Sequence, residues 1–87
     1  MAAAQPECLD DLRQGVTFTQ HAALDLLEQR GRIWAETNTD TLIEMARICA
    51  FDARNSESAS FKHGRLIHAA ALMLAAAERV AIEACRG

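Results

Sequence analysis

Between Ser58 and Cys85 apolar residues recur at intervals of seven, placing Ala59, Leu66, Met73 and Val80 on one line of a helix. Beside that line fall His63, Ile67, Ala70, Leu74, Ala77, Ala81 and Ala84, which makes a stripe wide enough to face a core. The opposite side carries Arg65, His68, Arg79, Glu83 and Arg86, yet Gly64, Ala71, Leu72, Ala75, Ala76 and Ile82 are interleaved with them. A helix packed on one side only normally carries more charge on the other. The pattern therefore predicts a long C-terminal helix contacted from two sides. Its first stripe enters the core. Its second face is an interface for a subunit or partner, where Gly64, Ala71 and Ala75 let another helix approach and Leu72 and Ile82 act as anchors. The competing account is alanine filling exposed positions because it is the best helix former. His63, Arg65, His68, Glu78, Arg79 and Glu83 spread charge along the whole stretch and exclude a transmembrane helix.

Upstream, Pro6 suits a first helical turn, and Glu7, Asp10 and Asp11 lie where the helix dipole favours acids. This predicts a brief element ending near Gly15 and held by Leu9 and Leu12. Thr17-Phe18-Thr19-Gln20 has the form of a capping box and predicts the start of a second helix. Its apolar positions Ala23, Leu24, Leu27 and Trp34 keep helical spacing across Gly31, so the helix either runs to about Glu36 or breaks at Gly31, where glycine costs about 1 kcal/mol relative to alanine. Thr37 to Asp40 reads as a turn, and Thr41-Leu42-Ile43-Glu44 offers another capping box. The helix after it, running to about Arg54, turns Leu42, Met45, Ala46, Cys49 and Ala53 inward. Asn55 to Ser58 is a polar link too short for anything but adjacent, antiparallel helices. Nowhere do β-branched residues alternate over five positions, so no strand is predicted. The expected fold is an all-α, single-domain helical bundle over residues 1–87, with residues 1–5 disordered. Its C-terminal half is an antiparallel helical hairpin, and the helix over residues 18–36 packs across it.

Composition adds a reason for self-association. The chain is 51% apolar but only 5% aromatic, with one tryptophan and no tyrosine, so its core is built from aliphatic and small side chains. Such a core is thin in 87 residues, and burying surface against a second copy is a common remedy. A net charge of −3 and a pI near 5.5 argue against a protein held to nucleic acid by phosphate attraction. The charge is uneven: residues 1–44 carry eight acids against three arginines, and residues 45–87 carry four acids against six bases. Cys8, Cys49 and Cys85 are odd in number and have no C-x-x-C spacing, so a disulfide framework is not expected. The N-terminal residues show neither a basic nor an apolar export region, and the expectation is a reducing cytoplasm.

Candidate chemistry is sparse. His63 and His68 diverge by about 140° around a helix and cannot share a metal ion, and no ligand pair sits on a tight turn, so no metal and no cofactor are expected. Cys49 and Cys85 fall on apolar stripes and read as core thiols. Arg47, Arg54, Lys62 and Arg65, with His63, are the best anion-binding candidates, close in sequence around the last link. No nucleophile with a base, no carboxylate pair and no Gly-rich phosphate loop is recognisable, so no catalytic residue is assigned. A helix-turn-helix reader would need more base-reading side chains than Phe61, Lys62 and Arg65 supply, and nucleic acid is not an expected partner.

Gly15-Val16-Thr17-Phe18-Thr19-Gln20-His21-Ala22-Ala23-Leu24-Asp25-Leu26-Leu27 resembles the opening of a group of short proteobacterial helical proteins of unknown function. In that group a Gly-Val-Ser/Thr start precedes an Ala/Leu-rich helix, and a hydrophobic helix closes the chain. The resemblance implies a helical fold and transfers no site. Small size, acidity and absence of motifs also resemble phage-encoded inhibitors of host defence. The expectation is a non-enzymatic cytoplasmic homo-oligomer that binds another protein as an inhibitor or regulator. The alternative is a small-anion or nucleotide binder using the Arg47, Arg54, Lys62 and Arg65 group.

Overall fold

A computed structural model describes the backbone of residues 5–86 and the side chains of residues 15–86. The expected disorder of residues 1–4 lies outside the described residues, and Gln5 already opens the first helix. The described chain forms α1 (Gln5–Ala35), α2 (Thr39–Asn55) and α3 (Ala59–Arg86), an all-α bundle with no strand among the described residues.

Two predicted N-terminal helices are one. The turn before Thr17 is already helical, so the amides of residues 17–20 have carbonyl partners four residues back and a capping box there has no orphan donors to serve. Gly15 and Gly31 both lie inside α1 with φ in the ordinary negative range, and a Cβ at either would meet nothing within 4 Å. Neither glycine is required by the geometry. Gly31→Ala is therefore expected to raise unfolding free energy by about 0.5–1 kcal/mol, measured by urea titration, through the lower entropy of the unfolded chain and better helix propensity.

The link from α1 to α2 is held by side chains. Thr37 Oγ1 donates to the Ile33 carbonyl at 2.8 Å, and Arg79 Nη1 donates to the Trp34, Ala35 and Thr37 carbonyls, at 3.4 and 2.8 Å for the first two. A guanidinium thus satisfies the orphan carbonyls and the negative end of α1. α2 starts two residues before the Thr41 box, because Asn38 Oδ1 accepts from the Asp40 amide at 2.8 Å and acts as N-cap. Glu44, the expected capping acid, instead pairs with Arg47 on the surface. The α2–α3 link is the predicted polar one, with Ser58 Oγ accepting from the Phe61 amide at 3.2 Å to start α3.

α2 and α3 share the largest contact, α1 packs on α3, and α1 scarcely touches α2. Thr19 lies beside His63 and Ala35 beside Arg79, each pair 44 positions apart, so α1 and α3 run parallel. Arg65 reaches back to Cys49 and Asp52 across the short link, which makes α2 and α3 the antiparallel hairpin. The core comprises Ala23 and Trp34 of α1, Leu42, Ala46 and Cys49 of α2, and Ala71, Leu72, Ala75 and Ala76 of α3. On α2 the buried residues Leu42, Ala46, Cys49 and Ala53 are the predicted stripe, with Met45 at its edge.

On α3 the predicted stripe is reversed. Leu66, Met73 and Val80, expected inside, are 53%, 50% and 52% exposed, whereas Leu72 is wholly enclosed. The buried set is centred roughly half a turn away from the expected one. Alanines at 71, 75 and 76 let α1 and α2 approach closely. Three of the polar residues on that side are drawn into the packing: Arg79 caps α1, Arg65 bonds to α2, and His68 meets Trp34, while Glu83 and Arg86 stay exposed. Long basic side chains lie along the core and deliver their heads to partners at its rim.

Candidate functional site

Two features stand out from this packing: an apolar face turned outward and a cleft turned inward. The outer face of α3 carries Leu66, Ala70, Met73, Leu74, Ala77, Val80, Ala81 and Ala84, all exposed. They fall within about a third of the helix circumference and, from Leu66 to Ala84, no charged residue interrupts them. The run is about 27 Å long at 1.5 Å per residue. His63 and Lys62, exposed at its first turn, are its only polar members.

This arrangement corrects the expected interface. Ala71, Leu72 and Ala75 belong to the core of the single chain and are closed to any partner. Gly64 and Ile82 remain exposed, Ile82 beside Leu27, Gly31 and Arg79 at a shallow cleft against the end of α1. Cys49 is buried as expected, but Cys85 is exposed, because the reversed phase of α3 turns it outward.

The predicted anion cluster does not assemble. Arg47 is taken by Glu44, whose carboxyl that hydrogen-bonded pairing holds below the usual carboxylate range. Arg54 and Lys62 are exposed, and His63 Nε2 lies 3.4 Å from Thr19 Oγ1. Only Arg65 enters a cavity. Its Nη2 donates to Cys49 Sγ at 2.9 Å and lies 3.7 Å from Asp52 Oδ2, while its Nε is buried without a hydrogen-bond partner.

The cavity has a volume of about 380 Å³ and lies between α1 and α2 with α3 as its floor. α1 contributes Arg30, Ile33 and Trp34, α2 contributes Met45, Ile48 and Cys49, and α3 contributes Arg65, His68 and Leu72. Arg30 and His68 were not predicted. Each lies four residues before a core residue, Trp34 and Leu72, so the correct helix phase alone would have put them on the inner side. Among the described residues, no group of three His, Cys, Asp or Glu comes together to hold a metal.

The His68 ring lies 5.8 Å from that of Trp34, tilted by 51°. Burial pushes the His68 imidazole below its ordinary value, and the Arg65 and Arg30 guanidiniums push it the same way. A base kept neutral in the fold but protonated in the unfolded chain gives the unfolded state more bound protons. His68 therefore supports folding fully above the ordinary histidine range, and this support is lost as pH falls through its depressed value. Urea titrations from roughly pH 7 to 5 are expected to show falling stability, with a shallower fall in His68→Phe, which keeps the ring contact and cannot titrate.

No protein-family model, curated protein or solved structure matches this chain. No helix among the described residues is long and apolar enough to cross a membrane.

Proposed function

We propose that the protein acts by association: it pairs with a second copy through the outer face of α3 and, as that homo-oligomer, binds another protein as a non-enzymatic inhibitor or regulator. The uncharged outer stripe of α3 carries the reading. Single exposed aliphatics are ordinary on a surface, but a helix-long row with no charge marks an interaction site.

A second copy is the occupant this face fits first, because an apolar, self-similar helix surface pairs with itself about a two-fold axis without charge conflict. Free thiols at Cys49 and Cys85 suit a reducing, cytoplasmic setting, which is part of the proposal. Sedimentation velocity or light scattering at micromolar concentration is expected to give twice the 9.5 kDa chain mass. A single species of chain mass at every concentration would overturn the reading. Of the alternative, a small-anion or nucleotide binder, only Arg65 retains support. Arg47, Arg54, Lys62 and His63 are dispersed, so a ligand site must be sought where Arg65 points.

A further inference from the structure

The cleft between α1 and α2 has a composition that the association reading does not use. Three of its lining side chains are basic, Arg30, Arg65 and His68, and its walls are otherwise Ile33, Trp34, Met45, Ile48 and Leu72, with the Cys49 thiol beside Arg65. We propose that this cleft binds a small amphipathic carboxylate, its anionic head among Arg30, Arg65 and His68 and its hydrocarbon or aryl part against Trp34, Ile33 and Ile48.

The head group follows from what Arg65 lacks. A guanidinium presents five donors in a planar fork suited to carboxylates. Here one nitrogen is spent on a thiol, a weak acceptor, and Nε is buried without any partner. Asp52 forms a long ion pair with it at 3.7 Å from a side chain that is less than half exposed, and does not reach Nε. Among the described residues Arg30 makes no ion pair, and it adds a second cation on the facing helix. Like charges gathered in a partly dry cleft repel one another, and His68, depressed first by burial, is lowered further by both arginines. A bound anion would relieve that repulsion.

The tail follows from the walls. Small-molecule sites are concave, mostly apolar and furnished with a few convergent polar groups, and a volume of about 380 Å³ lies at the small end of their range. Inorganic phosphate would leave that apolar surface unused, and a nucleoside triphosphate would carry more negative charge than two arginines neutralise. An uncharged hydrocarbon would leave the Arg65 Nε without a partner. Only a molecule with both parts uses the whole lining. The proposal is independent of self-association, because Arg65, His68 and Leu72 lie on the inner side of α3, away from its outer stripe.

Octanoate and phenylacetate are the probes, with octanol and inorganic phosphate as controls, in low-salt buffer. Trp34 is the only tryptophan and lines the cleft, so its emission reports binding directly, and calorimetry gives the affinity. Saturable binding of at least one acid is expected, with octanol and phosphate each bound about tenfold more weakly or not at all. Arg30→Gln should weaken acid binding about tenfold, since it removes a charge-assisted partner from an exposed position that the fold does not need. Ile33→Glu, also at an exposed position, should abolish binding by placing a carboxylate at the cleft mouth. Both variants should keep the wild-type helicity. Octanol binding as well as octanoate would reduce the cleft to an apolar crevice and overturn the proposal. So would phosphate binding as well as the acids, the absence of any acid effect, or acid binding unchanged in Arg30→Gln.

Discussion

Leu72→Ala is expected to remove about 3–5 kcal/mol of folding free energy, whereas Leu66→Ala, on the same helix and of identical chemistry, should cost less than about 1 kcal/mol. Among the described residues, Leu72 and Leu42 are the two largest side chains fully enclosed by the fold. Around Leu72 the neighbours on α3 are Ala71, Ala75 and Ala76, which are too short to swing into a vacancy, so the lost methyl groups leave a cavity. Leu66 is about half exposed and has little enclosed surface to lose. A domain of this size holds only about 5–10 kcal/mol in total, and Leu72→Asp is accordingly expected to leave no cooperative fold. Urea titration followed by Trp34 emission and by circular dichroism gives both numbers. The opposite ranking would mean that α3 presents its Leu66 face to the core.

The second large effect is on assembly. Replacing Leu66, Met73 and Val80 together by Glu is expected to weaken self-association at least 100-fold while leaving helicity intact. Each position is half solvated in the single chain, so the new carboxylates stay hydrated there, and Glu is a good helix former. Across a two-fold axis, however, six carboxylates would face one another in a shrinking volume of water, with the apolar area of three side chains lost from each copy. The variant should sediment at the chain mass, and its thermal midpoint should no longer rise with protein concentration. Unfolding of the triple variant would assign the stripe to the monomer core. Retained association would move the interface elsewhere.

The two helices of the hairpin were unequally legible. α2 was readable because Leu42, Ala46, Cys49 and Ala53 are spaced helically and the opposite side carries Glu44, Arg47 and Arg54. α3 was not, because its larger aliphatics lie outside and its alanines inside. Weight by side-chain size alone points to Leu66, Met73, Leu74 and Val80. What decides the phase is long-range: Arg79 finds the open carbonyls at the end of α1, Arg65 finds Cys49, and His68 finds Trp34. None of these partners is within 15 positions of its basic residue. The same limit hid the cleft, since Arg65 was nominated from its neighbours in sequence, while Arg30 and His68 join it only through the packing of three helices. The break expected near Gly15 was a local reading of glycine and a capping pattern, overridden by a helix that continues through both.

The parallel pairing of α1 with α3 has a consequence for how the chain assembles. Contacts between these helices join residues 44 positions apart, on either side of the whole of α2, whereas α2 and α3 meet across a three-residue link. Closing the short loop is entropically cheap, and the surface on which α1 rests exists only once that hairpin has formed. The topology thus favours α1 as the last helix to dock and the first to leave. A departure of α1 would take Trp34 with it and open the cleft from one side, so the motion that loosens the fold would also be a route for the proposed carboxylate to the interior.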